Sequence, residues 1–245
     1  MENNAWDKNA KLRHQQVVLG KDFSFSEIVS PVILSIAKKS ILSSKANVLD
    51  VGCGTGILTY KLSKIVKRIT GIDSSRNSIK IASKEYKEQN NLRFVYGAIE
   101  NYDEDMYSMI VSNMAFQSIS NISHAIKQIS RITLEHGILV FSIPHPCFWE
   151  FHRSEIRKSN YRYKTPSQHS LLFTITNDPK PLPSPITYHH RSIEFYGNLL
   201  SKHNFYISNI FEPTPNKKHF KEHNISWEYP RYIILKCIKN KGIKK

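Results

Sequence analysis

Two apolar rhythms alternate in this chain. Val48, Leu49 and Val51 form a short run rich in β-branched residues, which predicts a buried strand, and from Ile57 onward Leu58, Leu62 and Ile65 recur at helical spacing. The exchange repeats downstream. Arg68–Asp73 reads as a second strand, Ile79, Ala82 and Tyr86 line a second helix, and 92–97 reads as a third strand. Tyr107–Asn113 is a fourth, followed by an amphipathic helix marked by Ile122, Ala125, Ile126, Ile129 and Ile132. His136-Gly137 is expected to end that helix, with Gly137 just past its C-terminus. A fifth strand, 138–143, stops at Pro144. Strands alternating with helices predict an α/β domain built on a parallel sheet.

The flanks differ in character. Residues 1–45 read as helical, with Phe25, Ile28, Val29, Val32, Ile33, Ile36 and Ala37 on an apolar face and a kink or restart at Pro31. The stretch 144–190 holds seven of the eleven prolines together with Phe148, Trp149, Phe151, Tyr161, Tyr163 and Phe173, and no helical period survives there. About 45 such residues exceed a bare connection. They predict an insertion of extended segments and turns, in which 171–176 pairs with 161–164. Phe195, Leu199 and Leu200 then mark the last helix, Phe205–Phe211 a sixth strand and 231–238 a seventh, with 212–230 as a lengthened connection. The chain is expected to form a single domain over 1–245, in four parts: 1–45, 46–143, 144–190 and 191–245.

Composition narrows the classes. Hydrophobic content of 40% and charged content of 22% are ordinary for a soluble globular protein. Cys53, Cys147 and Cys237 form no CxxC pair and no even framework, which points to a reducing compartment. The first residues lack the apolar core of a signal peptide, and no apolar run approaches the ~18 residues a membrane span needs. A cytoplasmic protein without membrane contact is expected. The net charge of +15 invites a nucleic-acid reading. Its excess is mostly scattered lysine, however, and the one tight cluster is the tail from Lys239 to Lys245.

Asp50 closes the first strand, and Gly52, Gly54 and Gly56 alternate after it, three of the nine glycines in the chain. Such a turn lets the backbone approach a ligand, and the helix behind it turns free N–H groups toward negative charge. The dinucleotide fingerprint needs a glycine where Ile57 stands. The stretch instead resembles motif I of the class I S-adenosylmethionine-dependent methyltransferases, and within them the small-molecule, methyltransferase-11-like subset. Asp73 lies 21 positions after Gly52 (73 minus 52), near the ~20 expected for an acid on a ribose hydroxyl pair; its alternative role is to cap the next helix with Ser74 and Ser75.

The resemblance implies a Rossmann-like, mostly parallel seven-stranded sheet with an antiparallel last strand, and S-adenosyl-L-methionine as cofactor. It implies that Asp50, Gly52, Gly54, Gly56, Asp73, Ser74, Ala98, Ile99, Asn113 and Met114 hold the cofactor, with Ala98, Ile99 and Glu100 along the adenine edge. It also makes 1–45 a helical lid with Trp6 and Arg13 as lid residues, and 144–190 a cap over the substrate. Methyltransferases of exocyclic base amines carry an Asn/Asp-Pro-Pro-aromatic segment after strand four. Ser112-Asn113-Met114-Ala115-Phe116 stands there instead, which argues against that branch.

Methyl transfer from a sulfonium is an in-line displacement that asks mainly for orientation and desolvation. A base serves only an acceptor that must lose a proton. His145, His189 and His190 are the candidate bases, although adjacent side chains on an extended segment face opposite ways, so one of the last two is expected to be structural. Trp149, Tyr188 and Arg191 are candidate substrate residues; Arg191 either anchors a carboxylate or pairs with Glu194 or Glu212. Cys147 is weighed as a nucleophile and set aside as a pocket residue. No metal is expected, since His145, Cys147 and His152 lack a fourth ligand at zinc spacing. The expected activity is methylation of an oxygen or nitrogen on a small molecule, by a monomer or homodimer. The rivals are RNA methylation, with nucleic acid the weaker partner class, and a catalytically inactive binding protein on the same fold.

Overall fold

Seven of the predicted and observed strands share one sheet. The computed structural model describes residues 5–40, 46–149, 161–175, 177–178 and 180–241. Helix α1 (Ala5–Val18) leads to a π-helical turn, Ser24–Val29, that runs directly into α2 (Ser30–Ser40), with Pro31 just past the junction, where it has no N–H to give to the turn before it. Then come β1 (Asn47–Val51), α3 (Ile57–Ser63), β2 (Arg68–Asp73), α4 (Arg76–Glu85), β3 (Leu92–Tyr96) and β4 (Tyr107–Asn113). Helix α5 (Ile122–Ile132) precedes β5 (Thr133–Pro144). The hairpin of β6 (Ser167–Leu171) and β7 (Ile186–His190) leads to α6 (Ile193–Lys202), β8 (Phe205–Phe211), α7 (Lys217–His223) and β9 (Tyr232–Lys239).

The sheet order is β3-β2-β1-β4-β5-β9-β8, parallel through β5, with β9 antiparallel to both its neighbours. Strand order reverses between β1 and β4, which opens a crevice at their C-terminal ends. Both faces are covered, and the residues divide accordingly. Val48, Met109, Val111, Val140 and Ile234 pack with α2 and α3. Their strand neighbours Leu49, Ile110, Leu139, Phe141 and Leu235 pack with α5 and α6 on the other face. A sheet buried on both sides explains why its strands read as continuous apolar runs.

Four expectations are corrected. Helix α3 ends at Ser63, so Ile65 lies beyond it, exposed. Helix α5 ends at Ile132, where Thr133 Oγ1 donates to the Ile129 carbonyl. The left-handed residue that follows is His136 (φ 58°), and Gly137 is needed for space: a Cβ there would lie 2.6 Å from Thr133 Cγ2. In the cap, among the described residues, 171–175 does not pair with 161–164; Ser167 to Leu171 pair with His190 to Ile186 instead. Phe173, Thr174 and Ile175 leave the strand and line the central cavity, and of these Ile175 makes an isolated bridge to Asp178. The connection 212–230 contains α7, whose N-cap Asn216 forms a capping box with His219, so α6 is not the last helix. Phe151, His152, Thr176 and the tail beyond Lys241 lie outside the described residues. Among those described, no helix is long and apolar enough to cross a membrane.

Candidate active site

The glycine turn does three different jobs. Gly52 (φ 70°) presses against the loop after β4, where a Cβ would lie 2.3 Å from Ala115 Cβ. Gly54 (φ 54°) has nothing within 4 Å of the Cβ position and faces a cavity of about 1180 Å³. Gly56 (φ 81°) does not line that cavity. A Cβ on it would lie 2.5 Å from the Phe94 ring, so its role is the close seating of α3 on β3. The cofactor role expected of Gly56 is therefore replaced by a packing role.

The two acids brace this turn. Asp50 is buried and accepts a hydrogen bond from Thr59 Oγ1 at 2.7 Å. Burial pushes its carboxyl up to about 7; the Thr59 bond opposes this and the nearby Asp73 charge adds to it. Asp73 Oδ2 accepts from Gly54 N–H at 2.8 Å and Oδ1 from Ser75 N–H at 2.7 Å. Burial raises its carboxyl as well, against those two bonds. Each carboxylate oxygen keeps a further lone pair for a hydroxyl. Capping of α4 falls to Ser75, whose Oγ accepts from Ser78 N–H at 3.1 Å.

Asp50, Gly52, Gly54, Asp73, Ser74, Ala98, Ile99, Asn113 and Met114 all line the cavity, and Glu100 joins them. Ser142 on β5, which sequence reasoning missed, fixes the last two. Its Oγ donates to Asn113 Oδ1 at 2.8 Å, and Met114 (φ 54°) donates its N–H to the Ser142 carbonyl at 3.0 Å. Only register across two parallel strands brings Ser142 beside Asn113, and nothing local signals it. These residues fit S-adenosylmethionine: a side-chain-free approach at Gly54, a carboxylate pair of acceptors at Asp73, and small or apolar walls at Ala98 and Ile99.

The cap supplies another part of the lining. Trp149 and Tyr188 stack with ring centroids 3.7 Å apart, and both line the cavity, as does His189. Burial lowers the His189 pKa, and the Arg191 charge lowers it further. His190 is fully buried and outside the lining; its Nε2 bonds the Tyr163 carbonyl at 2.7 Å, and its ring packs on Tyr161. His145 is also buried outside the lining. Its Nδ1 accepts from Cys147 N–H at 3.2 Å, which leaves Nε2 the proton shared with Glu212 Oε1 at 2.7 Å. Neither ring nitrogen is left for a substrate. Cys147 does not line the cavity either.

Arg191 corrects the expectation most sharply. It is buried, does not line the cavity, and donates to the carbonyls of Phe116 (3.2 Å), Ile119 (2.7 Å) and Ser120 (2.9 Å). It clamps the loop after β4 to the cap. Its expected carboxylates are engaged elsewhere, Glu194 with Lys164 and Glu212 with His145.

Helix α1 closes the cavity. Asp7 accepts from Ser75 Oγ and from Asn77 N–H, tying the helix to the start of α4. Asn9 makes a paired amide–backbone contact with Ser184 in the cap (2.8 and 2.9 Å), and Trp6 Nε1 donates to Ser118 Oγ. Trp6 and Arg13 both line the cavity; Arg13 pairs with Asp22, and its Nη1 is buried without a partner.

Residues 49–141 match a family described as a methyltransferase domain. A malonyl-[acyl-carrier protein] O-methyltransferase of Bacillus cereus is 33% identical over 135 residues, which cover 53% of this chain and 50% of that protein. The chain thus spans about half the length of the curated relatives it matches. Among solved structures, a Listeria monocytogenes protein assigned as an S-adenosylmethionine-dependent methyltransferase superposes with TM-score 0.69 at 22% identity, over 86% of this chain and 98% of that one. Magnesium protoporphyrin IX methyltransferase of Synechocystis, solved with bound SAH, gives 0.59 at 15% identity, over 95% and 86%. At these identities the structural likeness establishes the fold.

Proposed function

We propose that this chain, which carries a class I S-adenosylmethionine-dependent methyltransferase domain, moves the cofactor's methyl group to an oxygen or nitrogen of a small molecule. The observation that carries this reading is one cavity with two unlike parts to its lining. One part is the Gly54–Asp73 turn, and the other is the aromatic pair Trp149 and Tyr188. The sulfonium supplies an electrophilic methyl, so the chain's own residues have three tasks.

The first is holding the donor. Asp73 receives the ribose hydroxyls, Ala98 and Ile99 flank the base, and the unpartnered nitrogen of Arg13 meets a carboxylate. The second is enclosure, by α1 and the stacked Trp149–Tyr188 pair, which keep water from the reacting atoms. The third is proton transfer. Burial keeps His189 neutral near neutral pH, so one of its ring nitrogens takes the proton that an acceptor hydroxyl or amine gives up. Of the three histidines considered, it is the one that lines the cavity.

The relatives are named for O-methylation, which favours oxygen over nitrogen, and a cavity of about 1180 Å³ has room for the cofactor together with a small acceptor, acted on by one domain in the cytoplasm. RNA remains the second reading because of the +15 charge. Incubation with methyl-labelled S-adenosylmethionine and a fractionated cell extract tests both. Label in the small-molecule fraction supports the proposal. Label in RNA, with salt-sensitive binding, supports the rival. No label in any fraction favours the binding-protein reading.

A further inference from the structure

Gln117 is 6% exposed, lines the cavity, and has one polar atom without a partner. Its Nε2 donates to the Met114 carbonyl at 2.5 Å. Only the amide nitrogen can donate to a carbonyl, so that bond fixes the orientation and leaves Oε1 as the orphan. The surroundings hold it there. Arg191 grips the carbonyl of Phe116 on one side and those of Ile119 and Ser120 on the other, and Trp6 holds Ser118. The loop is braced on both flanks around an acceptor closed off from bulk water. Leaving such an acceptor unpaired costs a factor of about ten or more in an equilibrium.

We propose that Gln117 is the specificity residue of the acceptor subsite: its carbamoyl oxygen takes a hydrogen bond from an O–H or N–H on the molecule to be methylated. This rests on the methyltransferase reading above and narrows it. A hydroxyl or amine satisfies Oε1. An ionised carboxylate has no hydrogen to give and meets it with lone pairs. The subsite therefore selects a neutral hydroxyl or an amine next to Met114, at the cofactor end of the loop, with the aromatic wall suited to a flat body. The cofactor's ammonium is the other source of N–H in the cavity, and the test separates the two.

The protein is saturated with S-adenosylhomocysteine, which permits binding without turnover, and titrated with 4-methylphenol, toluene, benzylamine and benzoate, with tryptophan fluorescence as readout. In Gln117→Met, 4-methylphenol is expected to lose about tenfold in affinity while toluene is unchanged. Gln117→Glu adds charge and also removes the Nε2 bond to the Met114 carbonyl; benzylamine should bind about tenfold tighter and benzoate more weakly. Melting curves confirm that each variant is folded, and either variant alone tests the idea. The inference is overturned if the phenol-to-toluene ratio is the same in wild type and variants, or if benzoate binds best and depends on Gln117. It is also overturned if S-adenosylhomocysteine affinity falls about tenfold while that ratio holds, because the orphan then serves the cofactor. Absence of S-adenosylhomocysteine binding by the folded wild type removes the methyltransferase reading itself.

Discussion

The cavity is built by two methods, one on the sheet and one in the cap. On the sheet side, function rests on backbone: Gly52 and Gly54 take left-handed conformations, and Asp73 holds Gly54 N–H at 2.8 Å. On the cap side, function rests on side chains brought from far apart in sequence. Trp149 meets Tyr188, Asn9 meets Ser184, and Arg191 reaches carbonyls more than seventy positions away. Backbone geometry belongs to a few consecutive residues and tolerates almost no substitution. The cap is a set of contacts that many sequences could satisfy, so it is the half free to take different acceptors.

The largest expected effect falls on the sheet side. Gly54→Arg drives a side chain into the open space at the turn, and S-adenosylhomocysteine affinity should drop on the order of a thousandfold by calorimetry. The left-handed conformation costs roughly 1–2 kcal/mol of stability in the same variant. Arg191→Met is the mirror case. It removes the donor from the carbonyls of Phe116, Ile119 and Ser120, of which the Phe116 bond is buried, and should lose about 1–3 kcal/mol in urea unfolding, while the folded fraction keeps its cofactor affinity within about threefold. Equal cofactor loss in both variants would erase the distinction between the two halves.

Asp50 gives a pH signature. Its carboxyl is raised from 3.8 to about 7 in the fold, so between those values the native state binds more protons than the unfolded chain. That stabilisation is full below about pH 4 and is lost as pH rises to about 7, up to roughly 4 kcal/mol in all. Asp50→Asn keeps an acceptor for Thr59 and removes the titration. Compared with wild type by denaturation, the variant should gain stability progressively from pH 4 to pH 8. A parallel pair of curves would contradict the burial argument. The smallest effect is Gly56→Ala, in which a methyl meets Phe94 and costs about 1–3 kcal/mol with little change in cofactor affinity. A large affinity loss there would return Gly56 to the binding site.

The same division decides what the sequence reveals. Strand β4 is read to the residue because both-face burial leaves a nearly unbroken apolar run, and the edge strand β8 is read as well from its β-branched and aromatic residues, although most of it is not buried. The turn at Gly52–Gly56 is equally plain, since only glycine suits those conformations. The cap pairing is missed because 171–176 looks like a strand from its composition, yet the ladder is formed by the more polar Ser167–Leu171 with Ile186–His190, which no local period encodes. His145 and Arg191 mislead for a related reason. Both are polar and lie beside the site in sequence, but their bonds to Glu212 and to the 116–120 carbonyls turn them away from it. Ser142 and Gln117 are invisible until β4 and β5 are paired and the loop between β4 and α5 is closed.

The most direct measurement is a calorimetric titration of the folded wild-type chain with S-adenosylhomocysteine, run alongside a thermal melt. A cavity that opens at Gly54 and Asp73 predicts saturable binding at one site per chain and a melting temperature that rises with ligand. A folded protein that gives neither heat nor a shifted melt would contradict the assignment of that turn to the methyl donor.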